Sequence, residues 1–144
     1  MSNKVLLTGI SGWIAKHTAI ELLNSGYEVL GTVRNKNLIE QTKETISKYA
    51  SIDKLSFVEL DLVKDDGWDE AAKGCKYIFH IASPFPMKVS RNRESLLPPA
   101  VDGTLRVLKA GVNAGVEQII KTSSIVAMFR TVSYTHLTLP TSRS

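Results

Sequence analysis

The sequence predicts an α/β domain built on a doubly wound parallel sheet with helices on both faces. Strand-like and helix-like patterns alternate five times along the 144 residues. The strand-like runs are mostly apolar throughout rather than alternating, as strands buried on both faces must be. The first of them passes straight into a helix through a glycine turn, the point from which the other elements are organised.

That opening stretch is Lys4-Val5-Leu6-Leu7-Thr8-Gly9-Ile10-Ser11-Gly12-Trp13-Ile14-Ala15. A helix entered this way presents unpaired backbone N–H groups and the positive end of its dipole to whatever sits in the turn. Gly9 permits the tight turn, and Gly12 carries no Cβ to hold a pyrophosphate away from the backbone. Ala15 at the third position is small enough for the helix to pack close on the strand. An ordinary strand–helix turn with two glycines is the competing reading; the position of the motif, after a strand, before a helix and near residue 1, favours phosphate binding.

The remaining elements follow in order. Ile14, Ala15, Thr18, Ala19, Leu22 and Leu23 recur at helical spacing, and Asn24-Ser25-Gly26 ends that helix. Tyr27–Arg34 is the second strand, Lys36–Tyr49 a polar amphipathic helix, and Leu55–Leu60 a third strand ending at Asp61. A short helix over Trp68–Lys73 leads to a fourth strand, Lys76–Ala82, which Ser83-Pro84-Phe85-Pro86 breaks. A helix starts near Pro98-Pro99 with Val101, Leu105, Leu108 and Val112 as its apolar stripe, and Gly115 closes it. Gln118–Thr122 is the fifth strand, running into Ser123-Ser124. With a phosphate turn behind the first strand, the arrangement is that of the Rossmann fold.

Composition sets the class. The chain is 43% hydrophobic and 22% charged, ordinary values for one globular domain able to bury a core. Its net charge of +4 comes from scattered basic residues, which argues against nucleic acid or a membrane surface as partner. The single cysteine, Cys75, excludes an internal disulfide and fits a reducing cytosol. No apolar run approaches the ~20 residues of a membrane span, and no signal peptide is evident, so a cytoplasmic protein is expected.

Chemistry concentrates at the carboxyl ends of the strands. Arg34 stands where an acid would bond the ribose hydroxyls of NAD; an arginine there offers a planar fork to a 2′-phosphate, so NADP(H) is favoured, with Asn35 and Lys36 able to assist. A solvated loop arginine is the alternative. Asp61 can accept the adenine amino group while Leu62 covers the ring, or Asp61 can simply cap a turn. Ile81, Ala82 and Ser83 let backbone run beside a cofactor. His80, within an apolar strand, reads as a core histidine rather than a base, and Cys75 as structural.

Gly9-x-x-Gly12-x-x-Ala15, Thr32-Val33-Arg34, Asp61-Leu62, Phe79-His80-Ile81-Ala82-Ser83-Pro84, Ala100-Val101-Asp102-Gly103-Thr104 and Lys121-Thr122-Ser123-Ser124 together resemble the extended short-chain dehydrogenase/reductases. The branch resembled is that of dihydroflavonol reductase, cinnamoyl-CoA reductase and related NADPH-dependent aldehyde and ketone reductases, over about residues 3–130. The resemblance implies a reductase passing hydride from NADPH to a small-molecule carbonyl. It makes Ser124 the catalytic serine, whose alternative is a strand-end hydroxyl satisfying local backbone. The cofactor contacts it implies are Thr8, Gly9, Ser11, Gly12, Trp13, Ile14, Arg34, Asp61, Leu62, Ile81, Ala82, Ser83 and Thr122, with no metal. A sugar-nucleotide epimerase or dehydratase, or a sterol-type dehydrogenase, uses the same scaffold; a non-catalytic NADP-binding module is the reading from another class.

The family pattern also requires a Tyr-x-x-x-Lys helix, whose tyrosine donates a proton and whose lysine lowers the tyrosine's pKa. Tyr27, Tyr49, Tyr77 and Tyr134 are followed at that offset by Gly31, Asp53, Ile81 and Thr138, so none qualifies. The stretch Val132–Thr141 has no apolar period and looks like translated sequencing adapter; a natural Thr/Ser-rich disordered tail is the alternative. The expectation is an incomplete NADP-binding domain over 1–131 and a non-native tail over 132–144. Without a sixth strand, Gln118–Thr122 would leave an apolar edge. Such a chain is expected to be unstable or to aggregate, to retain weak NADP affinity at most, and to reduce nothing.

Overall fold

A computed structural model describes residues 3–83 and 97–125, with side chains resuming at Ala100. The expectations for Pro84, Phe85 and Pro86, for Tyr134 and for the tail over 132–144 lie outside the described residues.

The chain runs β1 (Lys4–Thr8), α1 (Trp13–Asn24), β2 (Glu28–Val33), a 3₁₀ turn (Lys36–Leu38), α2 (Ile39–Ser47), β3 (Leu55–Glu59), α3 (Trp68–Ala72), β4 (Tyr77–His80), α4 (Leu97–Ala114) and β5 (Gln118–Lys121). The five strands form one sheet in the order β3-β2-β1-β4-β5, all neighbours parallel. Leu6 on β1 pairs with Leu30 on one side and Ile78 on the other, so β1 is central and fully enclosed. Chain direction across the sheet reverses between β1 and β4, which opens a crevice outside their carboxyl ends.

Strand alternation sorts β1 between two cores. Val5 and Leu7 face Ala19, Ile20 and Leu22 of α1 and Ile46 of α2, while Leu6 faces Trp68 and Ala71 of α3 and Val107 and Ala110 of α4. A helix layer on each face is what the near-continuous apolar strands required.

Several boundaries fall inside the expected ones, for local reasons. The Asn35 side chain accepts from the Asn37 amide at 2.9 Å, tightening Lys36–Leu38 into a 3₁₀ turn before α2 begins. The amides of Ile81 and Ala82 leave the ladder for the Thr8 hydroxyl, at 3.1 and 3.0 Å, which ends β4 at His80.

The face of α4 is a correction. The stripe Val101, Leu105, Leu108 and Val112 is not the docking face: Val101, Leu105 and Val112 are 52%, 45% and 77% exposed. Gly103, Val107, Ala110 and Gly111, on the opposite side, are buried instead. A Cβ built on Gly111 would stand 2.6 Å from Ile119 Cδ1 and 3.0 Å from Ile78 Cδ1, so the helix lies too close to the sheet for large side chains. Shape, not hydrophobicity, chose the face. On β5, Ile119 is half-buried and Ile120 exposed, and no further strand pairs with it among the described residues.

Candidate active site

The glycine turn is held from three sides. Gly9 adopts φ +69°, a left-handed conformation, and a Cβ there would sit 2.9 Å from the Ala82 Cβ. Its amide donates to the Thr32 hydroxyl at 3.0 Å, and the Ile10 amide donates to the Thr32 carbonyl at 3.0 Å. Gly12 caps α1 in extended conformation, its amide donating to the Gly9 carbonyl at 2.9 Å. No side chain caps this helix, and its first turn holds no acid. The amides of Trp13, Ile14 and Ala15 therefore have no partner within the helix and point with its dipole toward the crevice. A Cβ built on Gly12 would meet only the Gly9 carbonyl, at 3.3 Å, so space lies open in front of α1. Ala15 is fully buried beneath the turn.

A hollow of about 360 Å³ extends from this turn along the carboxyl ends of the strands. Gly9, Ser11 and Gly12 line it after β1, Thr32 and Arg34 at the end of β2, Asp61 and Leu62 after β3, and Ala82 and Ser83 after β4. Leu38, Leu60, Val63 and Trp68 also line it; these four and Thr32 are additions to the site residues expected from the sequence. A tryptophan heading a short helix carries no motif; the Trp68 indole N–H, split between the carbonyls of Asp61 at 3.2 Å and Lys64 at 3.1 Å, becomes meaningful only in three dimensions.

Not every expected contact faces the hollow. Thr8 is completely buried, and its hydroxyl already accepts from the Ile81 and Ala82 amides. Its single proton is left for His80 Nδ1, 2.9 Å away. Thr8 thus shapes the site by fixing the end of β4. Trp13 and Ile14 are exposed beside the turn, Ile81 packs into the α1-side core, and Thr122 is exposed with its amide on the His80 carbonyl at 3.1 Å; none of the four lines the hollow. Ser124 follows β5, exposed and outside the hollow. Asp61 caps the turn, its Oδ1 accepting from the Val63 amide at 3.1 Å, and it also lines the hollow.

His80 is a satisfied core histidine. Burial lowers its pKa to about 4, with the charge of Lys121 adding to the effect. A ring proton on Nδ1 would also face an oxygen whose lone pairs are taken by two amides. Burial raises the Cys75 thiol, whose Sγ donates to the Ala71 carbonyl at 3.3 Å, so it is no nucleophile. Among the described residues no group of His, Cys, Asp and Glu could hold a metal, and no helix is long and apolar enough to cross a membrane.

The profile of the NAD dependent epimerase/dehydratase family matches residues 5–141. Tetraketide alpha-pyrone reductase 1 of Arabidopsis thaliana is 36% identical over 122 residues, 84% of this chain and 37% of the relative. Dihydroflavonol 4-reductase of Hordeum vulgare is 34% identical over 121 residues, 83% of this chain and 34% of the relative. The crystal structure of yeast methylglyoxal/isovaleraldehyde reductase Gre2 complexed with NADPH superposes with a TM-score of 0.74 at 30% identity, covering 86% of this chain and 38% of that one. The chain spans little more than a third of the length of these proteins.

Proposed function

The chain belongs to the NAD dependent epimerase/dehydratase family, and we propose that it is the cofactor-binding part of an NADPH-dependent reductase acting on an aldehyde or ketone. The observation that carries this reading is the hollow itself, which joins an uncapped helix N-terminus to Arg34 and to the Asp61–Leu62 wall at the reversal point of the sheet. The residues fit a dinucleotide: the space before Gly12 is open, and no acid follows β2 to repel a 2′-phosphate.

In this reading the amides of the first turn of α1 hold the pyrophosphate, while the glycine turn, its Gly9, Ile10 and Gly12 amides bonded internally, leaves room for it. Arg34 takes the 2′-phosphate through its guanidinium fork, while Asp61 and Leu62 flank the adenine. NADPH, when bound, supplies the hydride. Ser124 would hydrogen-bond the substrate carbonyl and stabilise the charge that develops on its oxygen. No Tyr-x-x-x-Lys pair occurs in the 144 residues, so proton donation has no source of the family's kind and the chain itself is expected to bind without turnover. A lone reduced cysteine supports a cytoplasmic setting.

Calorimetric titration with NADPH and NADH tests the reading, in the wild-type chain and in Arg34→Met. The wild type should prefer NADPH, and the variant should lose about 1.5–3 kcal/mol of that preference while its NADH affinity stays unchanged. A wild type that binds neither nucleotide, or a variant with intact preference, overturns it.

A further inference from the structure

The wall formed by residues 61–66, between β3 and α3, has no strand or helix of its own to hold it. What holds it comes partly from α4. Arg106 donates from Nη1 to the Leu62 carbonyl at 2.8 Å and from Nε to the Asp65 carboxylate. One turn earlier, α4 presses its backbone against the same residue: a Cβ on Gly103 would lie 3.0 Å from Leu62 Cβ and 3.2 Å from its carbonyl oxygen. The Arg106 side chain is only 22% exposed, whereas Asp65 is 83% exposed, so the guanidinium is the anchored partner and the wall is drawn onto it. Trp68 fastens the other end of the strap through the Asp61 and Lys64 carbonyls.

Arg106 itself does not line the hollow, but Asp61, Leu62 and Val63 do. We propose that Arg106 is a positioning residue for the adenine end of the cofactor, setting the Leu62 wall from behind; this rests on the NADPH reading given above. Its planar fork serves two acceptors, a backbone carbonyl and a carboxylate, that a lysine ammonium on a flexible stem cannot satisfy with the same fixed geometry. An unclamped strap must be ordered by the ligand, and the cost of that ordering appears as lost affinity. The loss is confined to ligands that contact the wall.

The test compares wild type, Arg106→Met and Arg106→Lys. Calorimetry gives affinities for NADPH, NADH and adenosine 2′,5′-diphosphate; amide shifts of Gly9 and Gly12 follow inorganic pyrophosphate, which needs the glycine turn alone. The methionine variant should bind all three adenine ligands about tenfold more weakly, with its NADPH-to-NADH preference and its pyrophosphate affinity unchanged, and the lysine variant should fall between. Equal loss of pyrophosphate would mark a merely structural role and overturn the proposal, as would unchanged adenosine 2′,5′-diphosphate binding in the methionine variant. A wild type that binds no ligand overturns the NADPH reading as well, which separates the two failures.

Discussion

His80 should make the fold acid-sensitive in a defined window. Its folded pKa is about 4 against 6.5 for the free side chain, lowered by burial and then by Lys121. Below pH 6.5 the unfolded chain takes up a proton that the folded chain refuses until about pH 4. Stability is therefore complete above that window and falls as pH drops through it. At about 1.4 kcal/mol per pH unit, the whole window is worth roughly 3 kcal/mol, a large share of the roughly 5–15 kcal/mol typical of a domain. The perturbation is His80→Asn, since the asparagine Oδ1 can accept the Thr8 proton as Nδ1 does and cannot titrate. Urea unfolding of dilute protein, followed by tryptophan fluorescence between about pH 7 and about pH 4.5, should give a steeper decline for wild type than for the variant. The variant starts lower, because a smaller side chain leaves a gap, and the two curves converge on acidification. Parallel curves would refute the reasoning and show that the Thr8–His80 contact does not exclude the proton.

Two further outcomes are expected. Gly9→Ala combines a positive φ with a Cβ 2.9 Å from that of Ala82, so it should cost roughly 2–4 kcal/mol in urea unfolding and abolish pyrophosphate-induced amide shifts; a loss under 1 kcal/mol would contradict this. The outward apolar residues of α4 should drive self-association: sedimentation velocity of the wild type should show species that grow with concentration, and Leu105→Glu with Val112→Lys should suppress them, whereas a wild-type monomer at all concentrations would count against it.

The sheet was legible because its signal is one-dimensional. Apolar runs of the right length, with Gly26 and Gly115 ending the helices before two of them, marked all five strands and the crossovers between them. The glycine turn was legible for the same reason, since spacing alone specifies it. What the sequence hid depends on distance. Periodicity ranks residues by hydrophobicity, so it chose Val101, Leu105, Leu108 and Val112 over a face containing Gly103 and Gly111, although close approach to Leu62 at the one and to Ile78 and Ile119 at the other demanded small residues. Thr32, Trp68 and Arg106 act through backbone partners 23, 4 to 7, and 44 residues away, and no local pattern encodes such bonds. Thr8 was legible as part of the turn, but its bonds to His80, Ile81 and Ala82, which tie β1 to the end of β4, were not.

These placements separate binding from chemistry along the chain. Every residue lining the hollow lies between Gly9 and Ser83, on the ends of β1 to β4, the turns behind them and the head of α3. The contribution of α4 is made through Arg106 and Gly103, from outside. Ser124, by contrast, follows the outermost described strand, whose Ile120 is exposed and whose helix turns its larger apolar residues outward. The nucleotide half is thus braced by Thr32 and Thr8 within the sheet and by Arg106 behind the wall, whereas β5, which Ser124 follows, has β4 as its one strand neighbour among the described residues. Loss of order should therefore begin at β5 and leave the glycine turn protected. Amide hydrogen exchange reads this directly: Ile119 and Ile120 should exchange much faster than Leu6 and Leu7, and equal protection would mean that β5 is as firmly held as the centre of the sheet.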